Sequence, residues 1–284
     1  MPELPEVEVT ARLLNAALDG ARIAYARAPG INALKTFDPP LSALEGERVL
    51  AVRRRGKHLI VESTGELALL IHLMSAGRLQ LYDKPAGPRD RTSRLLVGFD
   101  DGRELRLREF GSKQAAWVKL LRAGELDGDD ALATLGPEAW PEPPGAEQLK
   151  AILDVPRPLH ALLRDQHAIA GIGRSWVDEI LWQAQLSPYK RGADLDAQEV
   201  ERLRAAIVAT LGGAIAHYEQ AVSLPIADKL PLPLRVHAHQ GEPCPRCAGT
   251  LQAVHFEDYV IAYCPACQTE GRVLKDRRLS RLLR

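Results

Sequence analysis

The stretch 243–268, PCPRCAGTLQAVHFEDYVIAYCPACQ, holds all four cysteines of the chain, Cys244, Cys247, Cys264 and Cys267, in the spacing C-x2-C-x16-C-x2-C. Two Cys-x-x-Cys knuckles on facing hairpins bring four thiolates to one ion tetrahedrally. A disulfide pair or free thiols fit the pattern poorly, since the cytosol is reducing and four unrelated cysteines do not fall into so regular a spacing. With four protein ligands there is no open position for water, so the spacing predicts one structural Zn2+ that folds a ribbon and does no chemistry. Ribbons of this kind often present a turn to nucleic acid.

Upstream of the ribbon, residues 148–222 have helical periodicity, in segments 148–153, 159–165, 175–184 and 197–221. The turn Ala168-Ile169-Ala170-Gly171-Ile172-Gly173 leads into a helix start, whose exposed N–H groups can hold a phosphate. It also reads as an ordinary glycine-rich connection between helices. Before it, residues 124–145 carry acids and Pro137, Pro141, Pro143 and Pro144, the composition of an interdomain linker. Further upstream, eight short aliphatic runs (22–28, 48–54, 58–62, 68–73, 78–82, 95–99, 104–108 and 115–121) alternate with turn pairs such as Thr64-Gly65 and Asp101-Gly102. That is the pattern of an antiparallel sandwich or barrel. A helix over 5–19 precedes them, with Val7, Ala11, Leu14 and Leu18 on one face and Gly20 as its stop.

The chain has 284 residues, enough for two domains with real cores, and 37 Lys plus Arg balance 37 Asp plus Glu. No apolar run approaches the roughly 18–20 residues that span a bilayer, and MPELPEVEV does not read as a secretory leader, so the expectation is a cytoplasmic protein without membrane contact. A neutral sum argues against a polyanion partner only if charge is spread evenly. Here it is not. Arg53, Arg54, Arg55 and Lys57 crowd one stretch, Arg272, Lys275, Arg277, Arg278, Arg281 and Arg284 crowd the tail, and seven acids between 125 and 147 have no basic neighbour.

Pro2 follows the initiator Met, and a small second residue favours Met removal. A terminal proline is a secondary amine able to attack a sugar aldehyde carbon and form an iminium. Glu3 and Glu6 beside it suit proton transfer to and from the sugar and the leaving base. A proline at position 2 can also be an accident of composition.

As a set, PELPEVE, RRGKHL around Lys57, IHLMSAGRL, REFG at 108–111, LLRDQ-x3-AGIG, VDEIL and the closing CPACQ resemble the formamidopyrimidine-DNA glycosylase family, which includes endonuclease VIII. PELPE points to the formamidopyrimidine branch. The resemblance implies an α+β fold: an N-terminal helix plus antiparallel β-sandwich (1–124), the acidic linker (125–147), a helix-two-turns-helix domain (148–235), and a zinc ribbon with its basic tail (236–284). It implies a monomeric base-excision repair enzyme with glycosylase and AP-lyase activity on damaged double-stranded DNA, with oxidised purines such as 8-oxoguanine and formamidopyrimidines as default lesions. Oxidised pyrimidines, or a lyase-only or non-catalytic DNA binder, are the alternatives.

Carried over by position, the resemblance makes Pro2 the nucleophile, Glu3 its acid/base, Glu6 a support and Lys57 a phosphate holder. Met74, Arg108, Phe110, Gly173, Arg174 and Tyr259 become the DNA contacts. Arg108 and Phe110 match two of the family's three side chains that fill the gap left by the flipped base. Departures cluster at binding positions: Ser75 stands where the gap-filling Met is usual, with Met74 one place early, and Glu109 where a second Arg is usual. His160 replaces a Lys, Arg174 an Asn, Tyr259 an Arg, and His237 and His239 a Tyr and an Arg. Fewer cations predict modest non-specific affinity that falls early with salt.

Overall fold

The computed structural model describes residues 2–30, 32–87, 90–110, 114–256 and 259–274. The chain divides into two units, residues 1–134 with 215–231, and residues 135–214 with 232–284. The first unit begins with helix α1 (Leu4–Leu18), which carries Pro5 in its first turn, where a missing N–H costs no hydrogen bond. Its apolar stripe of Val7, Ala11, Leu14 and Leu18 is buried. Two polar contacts fix α1 against β2 (Val49–Arg55): Asn15 Oδ1 accepts the Val52 N–H at 2.7 Å, and Arg54 pairs with Glu8 at 2.8 Å.

Eight strands follow the spacing of the aliphatic runs. In chain order they are β1 (Ile23–Arg27), β2, β3 (His58–Ser63), β4 (Leu67–His72), β5 (Gly77–Tyr82), β6 (Ser93–Phe99), β7 (Glu104–Glu109) and β8 (Trp117–Arg122). They form two four-stranded antiparallel sheets, β1-β6-β7-β5 and β2-β3-β4-β8, so the choice between sandwich and barrel falls to the sandwich. Period-two alternation supplies one core from both sheets: Leu59, Val61, Leu69 and Ile71 from one, Leu79, Leu95, Leu105 and Leu107 from the other.

Alternation also settles two charge questions. Arg54 is directed inward to Glu8, and Arg53 pairs with Glu62 at 2.6 Å on the exposed face, so two cations of the crowded stretch already lie beside carboxylates. Glu109, expected as an acid close to DNA, is 2% exposed; its Oε1 accepts the N–H groups of Ala115 and Ala116 at 2.7 and 3.0 Å. It braces the segment that leads into β8 from a buried position. Within the acidic stretch, α2 (Asp130–Ala133) is ordered, Leu126 and Leu132 are buried, and Asp129 binds Lys119 Nζ at 2.7 Å. The division between units falls inside that stretch, after Thr134.

The second unit holds α3 (Ala146–Leu153), α4 (Leu159–Leu163), α5 (Arg174–Ala184) and α6 (Ala197–Ala221), whose last turns belong with the first unit. Strands β9 (Gln252–His255) and β10 (Val260–Tyr263) pair antiparallel, and the one-turn α7 (Pro265–Gln268) carries the second knuckle. Two carboxylates of α5 anchor the ribbon. Glu179 Oε1 accepts the N–H groups of Arg235, Val236 and His237 at 3.1, 2.8 and 2.8 Å. Asp178 Oδ2 accepts from His237 Nδ1 at 2.7 Å and from the Ala262 N–H at 3.0 Å. Met1, Gly111 and the tail residues 275–284, with Lys275, Arg277, Arg278, Arg281 and Arg284, lie outside the described residues.

Candidate functional site

Helix α1 sets the geometry around Pro2. Pro2 is half-buried, and after it in the chain Glu3 and Glu6 are 2% and 6% exposed. Glu6 Oε2 accepts the Glu3 N–H at 2.8 Å, and its Oε1 accepts the Tyr218 hydroxyl at 2.7 Å, so both oxygens are fixed. Burial first, and then the neighbouring Glu3 carboxylate, push Glu6 up to about 7 against the pull of the Tyr218 hydroxyl. Tyr218, from the end of α6, is itself fully buried. The sequence reading missed it, because it sits in an apolar helix stripe that reads as core.

The Glu6 shift has a sign for stability. Its carboxyl titrates near 4.5 when unfolded and about 7 when folded, so between those values the folded chain binds more protons. Its contribution is fully present below the unfolded value and is lost as pH rises through about 7. At 1.36 kcal/mol per unit the loss amounts to about 3 kcal/mol by pH 8. Glu6→Gln removes the titration, so urea midpoints should move in favour of the variant between pH 5 and pH 8. A gap between the two proteins that does not change with pH would refute the assignment.

Lys57 occupies the β2–β3 turn, where Gly56 adopts φ 57 so that Arg55 and His58 can pair across a two-residue loop. Lys57 is 7% exposed. Beside it His58, His72 and Trp117 line up across β3, β4 and β8, with His72 stacked on Trp117 at 5.6 Å. Burial holds His58 down to about 4 and His72 down to about 3, so both imidazoles are neutral at physiological pH. His72 Nδ1 accepts the Met74 N–H at 3.1 Å. Met74 sits at φ 49, a left-handed conformation that costs roughly 1–2 kcal/mol for a residue with a side chain. Met74 is half-buried and Ser75 is exposed.

Arg108 projects from β7 into a polar group: its Nε donates to Thr92 Oγ1 at 3.0 Å and its Nη1 to the Tyr82 hydroxyl at 2.7 Å, and its guanidinium lies 4.6 Å from the half-buried Phe110 ring. The segment after α6 closes over the same sheet. Gln80 Nε2 donates to the Ile226 carbonyl and, at 3.0 Å, to Asp228 Oδ1; Arg78 Nε donates to the Asp228 carbonyl at 2.8 Å. Arg108 comes within 3.7 Å of Asp228. Burial lowers the Arg78 pKa, while Asp228 and Glu6 oppose that. Arg78, the arginine of IHLMSAGRL, therefore belongs to the electrostatic surroundings of Glu6, and Asp228, which no local motif indicated, is bonded to Arg78 and Gln80.

In the second unit, Gln166 ties the glycine turn together: its Nε2 donates to the carbonyls of Arg164 and Ile172 at 2.9 and 2.8 Å, and its Oε1 accepts the Gly171 N–H at 2.9 Å. Gly173 caps α5 without a side chain, and Arg174 is the first helical residue. Tyr259 lies parallel to His160 at 5.8 Å, with the Arg164 and Arg174 guanidiniums 4.3 and 5.5 Å from its ring centre. His160 stands in a lysine's usual place but is 2% exposed and 3.3 Å from Asp178, with burial lowering its pKa. It is buried as part of the fold.

The four cysteine sulfurs lie within 4.8 Å of one another. A tetrahedral ion with metal–sulfur bonds of about 2.3 Å requires sulfur–sulfur edges of about 3.8 Å. Cys244–Cys267 at 3.9 Å and Cys247–Cys264 at 3.5 Å match that shape. The Trp182 indole N–H donates to Cys244 Sγ at 3.3 Å, the kind of outer contact that orients a metal thiolate. Burial opposes ionisation of Cys244, but N–H groups of Arg246, Trp182 and Cys247 aimed at it hold the thiol down to about 6.

A sandwich with buried carboxylates at the start of its first helix, just after Pro2, in a chain that also has a glycine-turn helical unit and a four-thiolate ribbon, defines a class of helix-two-turns-helix proteins. Residues 1–112 match the model of the formamidopyrimidine-DNA glycosylase N-terminal domain, and residues 135–225 that of its H2TH domain. The chain belongs to the formamidopyrimidine-DNA glycosylase family. It is 32% identical over 285 residues to the formamidopyrimidine-DNA glycosylase of Chloroflexus aurantiacus, covering 94% of this chain and 98% of that one. The Moorella thermoacetica protein of the same name is 33% identical over 267 residues, covering 89% and 94%. Among solved structures, Lactococcus lactis Fpg (MutM) in complex with DNA containing N7-benzyl-Fapy-dG superposes with a TM-score of 0.85 at 25% identity, covering 94% of this chain and all of that one. The complex of that enzyme with abasic-site DNA gives 0.84 at 26%, with the same coverage.

Proposed function

We propose that this chain is a base-excision repair DNA glycosylase with AP-lyase activity that removes oxidised purines from double-stranded DNA. The observation that supports the reading is the buried pair Glu3 and Glu6, which follows Pro2 in the chain, with Glu6 bonded to the Glu3 N–H and the Tyr218 hydroxyl. Once Met1 is removed, the proline nitrogen attacks C1′ of a nucleotide turned out of the stack, and the base leaves with a proton. Glu3 moves protons between the sugar ring oxygen, the amine and the leaving group. The nitrogen–carbon bond becomes an iminium as the ring opens. The iminium acidifies C2′, and loss of that proton expels the 3′ phosphate; a second elimination expels the 5′ phosphate. Glu6, by accepting the Glu3 N–H, fixes the turn that aims Pro2. Lys57 supplies a backbone contact, and Met74, Arg108, Phe110, Gly173, Arg174 and Tyr259 supply the rest of the DNA-binding surface.

The thiolate set fits Zn2+ in spacing, shape and donor chemistry, and Cys244, Cys247, Cys264 and Cys267 would hold it. Its chemistry there is structural, because four protein ligands leave no position for substrate. Monomeric action in the cytoplasm is part of the proposal.

Borohydride trapping tests the reading. The Met-processed protein should form a covalent adduct with abasic duplex, and a panel of duplexes opposite cytosine should be cut fastest at 8-oxoguanine or formamidopyrimidine. Preference for an oxidised pyrimidine would move the substrate. An adduct on abasic DNA without cutting of any lesion would reduce the protein to a lyase.

A further inference from the structure

We infer that Tyr259 is a positioning residue whose ring holds Arg164 and Arg174 as a paired clamp for the phosphodiester backbone; the inference rests on the DNA-binding reading above. The Tyr259 plane is fixed by its neighbours. Phe256 stacks on it at 4.5 Å with 5° between planes, and His160 lies parallel at 5.8 Å and 7°. His160 is buried and held beside Asp178, so this side of the stack is anchored in α4 and α5.

Two guanidiniums converge on that fixed ring, Arg164 at 4.3 Å and Arg174 at 5.5 Å from its centre, which places their Cζ atoms no more than about 9.8 Å apart. Among the described residues no carboxylate pairs with Arg164. A guanidinium over an aromatic face is attracted by the electron-rich face of the ring. That attraction restricts side chains that otherwise have much rotamer freedom, so less ordering is left to be done when an anion arrives. Both guanidiniums are held by the same ring, and a phosphodiester offers such a pair one charge and several acceptor oxygens. Tyr259, which by sequence looks like a lost cation, thereby organises two others.

The test is binding to a duplex carrying a reduced abasic-site analogue, measured from 50 to 300 mM salt, after wild-type trapping has confirmed the proposed function. Tyr259→Leu should lose about tenfold in affinity, and Tyr259→Phe, which keeps the ring, should restore it. Arg164→Gln/Arg174→Gln should lower the slope of log affinity against log salt by about 2. Tyr259→Leu added to that pair should cost nothing more. Three results would overturn the inference: equal losses for Phe and Leu, which would make the phenol itself the contact; a full Tyr259→Leu effect in the double-Gln background; or an unchanged salt slope in the double-Gln protein. The last comparison leaves the stack intact and so decides the matter even if Tyr259→Leu disturbs the ribbon. A wild-type protein that forms no adduct would instead remove the enzyme reading.

Discussion

A chain carrying Met-Leu ahead of Pro2, in a form that resists amino-terminal processing, forms no borohydride adduct with abasic DNA, a loss of at least 10³-fold, while its affinity for the same duplex changes by less than tenfold. The reason is electronic. In a peptide bond the proline nitrogen shares its lone pair with the preceding carbonyl and is no nucleophile. The new terminal amine is reactive, but two residues place it up to about 7 Å from the position of the Pro2 nitrogen. Glu3 and Glu6 cannot follow it, because both are buried and Glu6 is bonded at both oxygens. Pro2→Gly is the milder comparison. It keeps a terminal amine at the right place and should trap more slowly, and Glu3→Gln should lose the 10²–10⁴ expected of a general acid/base. Equal adduct from wild type and the extended chain, with the extension confirmed by mass, would assign the nucleophile elsewhere.

How much of this was legible in the sequence follows from the range of each interaction. The strands, α1 and the helical segments announce themselves through period-two and period-3.6 patterns, which depend on neighbours a few residues away, and the helix over 197–221 has the same limits in the structure. The four cysteines are legible because metal geometry demands their spacing. Glu109 was legible in principle, since Arg108 and Glu109 must face opposite sides of β7, yet a charge beside a motif draws the eye to the ligand. Tyr218 was not legible: its bond to Glu6 joins positions 212 apart, and nothing local distinguishes it from a core aromatic. The same holds for Asp228, whose partners Arg78 and Gln80 lie on β5. Tyr259 shows a third kind of limit. Its residue type records a missing cation, whereas its contacts reveal two guanidiniums brought to one ring.

Removing the metal, by chelation or by Cys244→Ser, should unfold the ribbon and lower affinity for damaged duplex by about two orders of magnitude, with the first unit still folded. The size of the effect follows from how little else holds the ribbon. Its strands β9 and β10 have four residues each, and an isolated two-stranded hairpin is marginal in water. Among the described residues its apolar content is two small clusters, one around Trp182, Cys244, Leu251 and Cys264, the other around Val254, Ile261 and Tyr263. A structural zinc bound by four cysteines supplies apparent free energies of roughly 10–16 kcal/mol at neutral pH, more than such clusters provide. Unfolding then releases the Ala262 N–H from Asp178 and takes Tyr259 away from Arg164 and Arg174, so the loss reaches groups that never touch the metal. The sandwich depends on none of these contacts and should keep its urea transition. Far-ultraviolet dichroism, zinc content and duplex binding measured on the same samples check the chain of cause. Affinity unchanged at verified zinc depletion would show that the ribbon is dispensable for DNA binding; loss of both transitions together would show that the first unit depends on the metal as well.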